Sequence, residues 1–244
     1  MSGRILRPNT NESILELPEI GRIGIGEKRL SQNGKEYPVA LDYFKARGVY
    51  APAFEKAFES CEGKPRVIQV IFPDDDPEKV CNERYELRDG SGALVASGDG
   101  QVFQVWNGKK YVEYSAAEHP DIMERLAARY PRKPKDENDN GWDITLTMRF
   151  IIPAVRGIVG VWQLTTKGAA SSVRNIRESF DAVQAMRKTV TGTVFDLAVK
   201  FAKSNKPGVT SRYPVISLTA NDQRFEEMRE LLKPVDGKSL LLQE

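Results

Sequence analysis

The side chains able to do chemistry are few and far apart. The one histidine, His119, stands between Glu118 and Pro120, so any metal centre or proton relay built on two imidazoles is ruled out. Its place before a proline at a helix entrance suits a cap or a surface group. Cys61 and Cys81 form no CxxC pair; no zinc ribbon can be assembled within the chain, and both read as small, partly buried side chains. Asp74, Asp75, Asp76 and Glu78 could gather round a divalent cation, but ligand oxygens must converge from several directions. These residues flank Pro77, where turn formation accounts for them. The run Asp136 to Gly141 resembles a calcium loop without its closing glutamate. Gly21, Gly24 and Gly26 invite a phosphate-loop reading that fails on context, because the glycines sit inside a strand instead of between a strand and a helix. They are read as a bulge or a point of close packing. Neither GxSxG nor GxxxxGK[ST] occurs, so no catalytic residue, metal or cofactor is assigned.

One segment has the makings of a binding surface. In Leu164 to Ser172 (LTTKGAASS) a strand runs through Gly168 into a helix that Ser171 or Ser172 can cap. Free backbone N–H groups there, with Lys167, Arg174 and Arg177 close by, would suit an anion such as DNA phosphate or a partner's carboxylate. Glu178 and Asp181 offset part of that charge, and a capped helix with solvated arginines is the plainer reading. A last helix, capped by Asn221 with Phe225, Met228, Leu231 and Leu232 inward, is a second place to look. The partner-binding candidates are therefore Lys167, Arg174, Arg177, Phe225 and Arg229.

The composition narrows the function classes further. The chain has 244 residues, with 36 Lys+Arg against 34 Asp+Glu and a formal charge of +2, so the broad cationic surface of an autonomous DNA binder is not expected. The apolar stretch Phe150 to Trp162 is interrupted by Pro153 and Arg156 and is too short to span a bilayer. The N-terminus has early arginines with no apolar core behind them, which does not suit a signal peptide. Sparse thiols fit a reducing cytoplasm.

Hydrophobic spacing supplies the elements that must position these residues. Leu17 to Arg29 reads as a strand, Ser31 to Gly34 as a turn, and Gly34 to Ala46 as a second extended segment. Pro52 to Ser60 makes a short helix with Phe54 and Phe58 one turn apart. Arg66 to Phe72 is a buried strand. Four strands, Arg84 to Arg88, Ala93 to Ser97, Gln101 to Trp106 and Lys110 to Tyr114, are joined by glycine turns as a β-meander. Pro120 to Tyr130 is a helix with Ile122, Leu126 and Tyr130 on one face. Trp142 to Ile152 and Val155 to Thr166 form a hairpin of long strands. The helix after Gly168 buries Val173, Ile176, Phe180 and Val183. Thr193 to Phe201 is a half-buried strand with Thr193, Phe195, Leu197, Val199 and Phe201 on its inward side, and it pairs with Arg212 to Thr219 across the turn at residues 205–208. The fold class is α+β, with two mainly antiparallel β-rich halves, each with packed helices. They span residues 17–130 and 142–232, with a flexible lead-in at 1–16, a linker or exposed loop at 131–141 and a tail at 233–244.

Two segments carry a resemblance. LPEIGRIGIGEKR from Leu17, with Gly34 to Pro38 and Leu41 to Phe44, is similar to the N-terminal part of recombination directionality factors of the Streptomyces-phage type. VRGIVGVWQLTTKGAASSVRNIRESFD, from Val155, is similar to their C-terminal half; the likeness runs from about Leu17 to Leu232. It implies a non-catalytic bacteriophage protein in the bacterial cytoplasm that binds a large serine integrase on attachment-site DNA. Binding would switch the integrase from integration to excision of the prophage, with little or no autonomous DNA binding, no membrane and no small-molecule substrate. Relatives with cysteine clusters depart from this chain, so no metal is carried over. The competing expectation is a single-stranded nucleic-acid-binding or annealing protein that stacks bases on Tyr85, Phe103, Trp106, Tyr111 and Tyr114, beside Lys109 and Lys110. Their strand spacing equally suits core and cross-strand pairs.

Overall fold

Alternating apolar residues and polar, glycine-rich turns drive the chain into strands. In the computed structural model, which describes residues 17–131, 139–167, 169–203 and 212–221, the first pair is a hairpin of β1 (Glu19–Leu30) and β2 (Glu36–Arg47). It turns at Gly34, whose φ of +72° favours glycine and whose N–H donates to the Ser31 carbonyl. Helix α1 (Ala51–Ala57) sets Phe54 and Phe58 with ring centroids 4.8 Å apart. β3 (Val67–Ile71) and the single turn α2 (Pro77–Val80) lead into β4 (Cys81–Arg88), β5 (Leu94–Gly98), β6 (Val102–Trp106) and β7 (Tyr111–Ser115). Each turn of this meander is pinned by a side chain accepting backbone N–H groups: Asp89 from Ser91 and Ala93, Asp99 from Gln101 and Val102, Asn107 from Lys109 and Lys110. Helix α3 (Ile122–Arg129) follows, then β8 (Asp143–Phe150), β9 (Val161–Thr166), α4 (Arg174–Arg187), β10 (Val194–Lys203) and β11 (Arg212–Ala220).

The strands form one eight-stranded sheet, in the order β2-β1-β9-β8-β4-β5-β6-β7, and one three-stranded sheet, β11-β10-β3. Among the described strands only β1 and β9 pair in parallel, and with 21% helix and 46% strand the fold is α+β. Strand pairing crosses the division drawn at residues 131–141. β8 and β9 lie between β1 and β4, and β10 pairs with β3. Their composition explains this placement: Leu146, Met148, Phe150, Trp162 and Leu164 are all buried, and so apolar a pair of strands takes the centre of a sheet.

A single large core joins this sheet's inner face to the three-stranded sheet and α4, through Phe44, Phe72, Phe150, Trp162, Phe180 and Phe195 among others. A smaller cluster under the meander packs Leu87, Phe103 and Val105 against Ile122, Leu126 and Trp142, whose indole N–H donates to the Met123 carbonyl at 2.9 Å.

Three expectations are corrected. The second strand of the hairpin starts at Val161 instead of Val155, because Pro153 lacks a ladder N–H and Gly157 turns with φ +79°. The helix after Gly168 is not serine-capped. A π-helical turn, Ala169–Val173, precedes α4, and the buried Ser172 hydroxyl accepts the Ile216 N–H at 2.9 Å instead. Phe201, expected inward, is 51% exposed; β3 pairs only with Val194 to Ala198, so the end of β10 runs past its cover. The lead-in, the turn at 205–208, the closing helix with Phe225 and Arg229, and the tail lie outside the described residues.

Candidate binding surfaces

Residues that face each other across a ladder share a face, and successive residues along a strand alternate faces. On β4, Cys81, Tyr85 and Leu87 turn toward the two cores, while Asn82, Arg84 and Glu86 turn outward. This alternation separates the basic residues expected to act together. Lys167 ion-pairs with Asp143 at 3.2 Å and with Glu86 at 4.0 Å, on the outer face. Arg177 pairs with Glu83 at 3.1 Å, on the inner side where α4 packs, and with Asp181 at 3.6 Å. Arg174 pairs with Glu178 at 2.7 Å. Hydrogen bonds donated to Glu178 and Glu83 push both α4 guanidinium pKa values up from the ordinary arginine value. The helix start therefore lacks the converging free cations and capping serine that an anion site there would use.

The acidic run is structural. Asp74 accepts the Asp76 N–H and pairs with Lys79; Asp76 caps α2 by accepting the Glu78 N–H at 3.0 Å. Asp75 reaches the turn after α4, accepting the Val190 N–H at 2.6 Å, the Thr191 N–H at 2.8 Å and the hydroxyls of Thr189 and Thr191. Burial pushes its carboxyl up, and the hydrogen bonds from Thr191, Thr189 and Val190 outweigh that, leaving it below the ordinary value. Among the described residues no group of three or more His, Cys, Asp or Glu is placed to hold a metal. Burial likewise drives the Cys81 thiol up to about 12, with help from Asp181 and Glu83, while Cys61 is exposed. His119 lies against Tyr114, with ring centroids 5.3 Å apart.

Of the β1 glycines, Gly21 is the point of close packing, and Gly24 and Gly26 flank a bulge. The register shifts between Gly24 and Gly26, and a Cβ on Gly21 would stand 2.5 Å from the Trp162 ring. Of the five meander aromatics, Phe103 is buried and Tyr85 and Tyr114 pack on the smaller core. Trp106 and Tyr111, 38% and 44% exposed, pair with each other at 5.3 Å on the outer face.

The feature that motif reading missed is the outer face itself. Ladder partners place Arg47, Arg22, Gln163 and Arg149 in one row across β2, β1, β9 and β8. Thr165, Thr147 and Asn82 form the next row, and Thr145 faces Arg84. The polar half of each strand's alternation was the available signal, but the order of strands that aligns the rows was not.

A family model described as Gp3-like, recombination directionality factor-like, matches residues 20–221. The chain belongs to this recombination directionality factor-like family. Comparison with curated proteins and with solved structures found no match. The matched residues of this family member take in every described strand except the first residue of β1, so both sheets and the surface rows above lie within the family's span. No described helix is long and apolar enough to cross a membrane.

Proposed function

We propose that this protein is a phage or prophage recombination directionality factor that binds a large serine integrase on attachment-site DNA in the bacterial cytoplasm. It switches that enzyme from integration to excision and carries out no catalysis of its own. The family match over residues 20–221 carries this reading. The physical requirement is modest: the factor needs a differential affinity for two integrase arrangements, since a ligand shifts an equilibrium only by that difference. A tenfold change in preference takes about 1.4 kcal/mol.

The test mixes the purified protein with its cognate integrase and paired attachment-site plasmids. The expected result is stimulated recombination of the hybrid prophage ends and inhibited integration; no effect on either reaction overturns the reading. Reversing charge at Arg174 and Arg177 tests α4 as part of the integrase contact. Weakened integrase binding by the double variant supports that contact, and unchanged binding removes α4 from it.

A further inference from the structure

The outer face of the eight-stranded sheet has more cations than its own carboxylates use. Glu19 is matched by Arg22 at 2.8 Å, Glu86 by Arg88 at 2.9 Å and Asp143 by Lys167 at 3.2 Å. Arg47 and Arg149 have no carboxylate partner among the described residues, and Arg84 is drawn only to Asp99, without an ion pair to it. Arg47 donates to the Gly26 carbonyl and Arg84 to the Asn82 side chain. Arg84 and Arg149 line an open groove of about 380 Å³ with Thr145 and Thr147. Thr145 is only 3% exposed and its hydroxyl has no hydrogen-bond partner, an uncommon state for a buried polar atom. Glu78 is the one unmatched carboxylate lining that groove.

We propose that this face, across β2, β1, β9, β8 and β4, binds the phosphate backbone of duplex DNA through Arg47, Arg84 and Arg149, helped by Thr147 and Gln163. Guanidinium, hydroxyl and amide groups are the side chains that contact phosphate and sugar, and the rows supply all three. A protein partner is disfavoured because interface hot spots set Arg among buried Trp and Tyr anchors, and the centre of this face has the arginines without the aromatics. None of the exposed large hydrophobics lies on the outward positions of β9, β8 or β4, and the two on β1 and β2, Leu30 and Tyr37, sit at the turn end of that hairpin. A stacked single strand is disfavoured for the same reason, since the exposed aromatics Trp106 and Tyr111 sit strands away at the far end of the meander. Arg47 and Arg149 are three strand spacings apart, roughly 14 Å, far enough to reach more than one phosphate of a duplex. Three arginines, one of them shared with Asp99, give only weak, non-specific affinity, on the order of 10⁻⁴ to 10⁻⁶ M at physiological salt. Held on an integrase–DNA complex, where effective concentrations are about millimolar, such a contact is populated.

The experiment uses the full chain and DNA without integrase, so its failure leaves the directionality reading intact. Fluorescence anisotropy of a labelled duplex of arbitrary sequence is measured from low to moderate salt. The comparison is between wild type, the Arg47→Ala/Arg84→Ala/Arg149→Ala variant, the matching arginine-to-lysine variant, and a charge-matched Lys64→Ala/Lys200→Ala/Lys203→Ala control. Thermal melts verify that each is folded. Wild type and control should bind with the same salt slope. The alanine variant should lose roughly 2 to 3 units of that log–log slope, and the lysine variant should regain most of it. The proposal is overturned if wild type does not bind at low salt, if the alanine variant matches the control, or if an acidic peptide occupies the face while duplex DNA does not.

Discussion

Asp75 joins two loops that are far apart in the chain, accepting hydrogen bonds from Thr189, Val190 and Thr191. Asp75 is half-buried and its threonine donors are exposed to water, so losing these hydrogen bonds costs about 0.5–1.5 kcal/mol net. Asp75→Ala should lower the melting temperature by several degrees at neutral pH, at roughly 2–4 °C per kcal/mol for a chain of this size. Because the folded carboxyl titrates below its ordinary 3.8, its stabilisation is complete above that value and is lost as pH falls through the lower folded pKa. The gap between wild type and variant, followed by calorimetry, should close below that range; a gap that stays constant with pH would refute the assignment. The two cysteines give a second residue-scale test. A thiol reagent at neutral pH should label exposed Cys61 quickly and leave Cys81, buried and pushed up to about 12, unlabelled until the protein unfolds. Rapid modification of both would show that the β4 end of the core is open.

Among the described elements, β1 and β9 form the one parallel pair, and it depends on close approach at Gly21. Trp162 sits against Gly21 and packs on Phe54 of α1 with ring centroids 5.8 Å apart. Gly21→Ala drives a methyl into that ring and should cost about 1–3 kcal/mol through overpacking, read as a lower denaturation midpoint and quenched or shifted tryptophan emission. A neutral effect would mean that β1 can move away from β9 freely. Helix α4 was readable because its inward residues follow one helical face, and Ile176, Phe180 and Val183 are indeed its buried residues. Its start was not, because Ser172 had two possible jobs. Only the position of β11 determines that the hydroxyl goes to Ile216 instead of capping. The meander was legible almost throughout, since each turn is local and carries its own Asp or Asn acceptor.

On the scale of the whole molecule, the two sheets exchange strands across residues 131–141, and this has a consequence for folding. A fragment ending at Pro131 would keep β1 and β4 without the β8 and β9 that lie between them, and β3 without its partner β10. It should show no cooperative thermal transition, whereas the full chain should melt with one; a cooperative melt of the fragment would establish an independent N-terminal unit. The net charge of +2 also looks different once charges have positions. Lys167, Arg174 and Arg177, neighbours in sequence, are split between faces and neutralised by Glu86, Asp143, Glu83 and Glu178. Arg47, Arg84 and Arg149, scattered through the chain, come onto one face with no carboxylate ion pair among the described residues, Arg84 alone being drawn to Asp99. The sequence by itself determined what depends on neighbours along the chain: most strands and helices, the turn chemistry, the α+β class, the bulge or close packing at the β1 glycines, and family membership through two contiguous segments. Tertiary structure alone decided strand order, the partners of each charge and the outer-face rows, because those depend on which distant strands lie side by side, and hydrophobic alternation is the same whichever neighbour a strand takes.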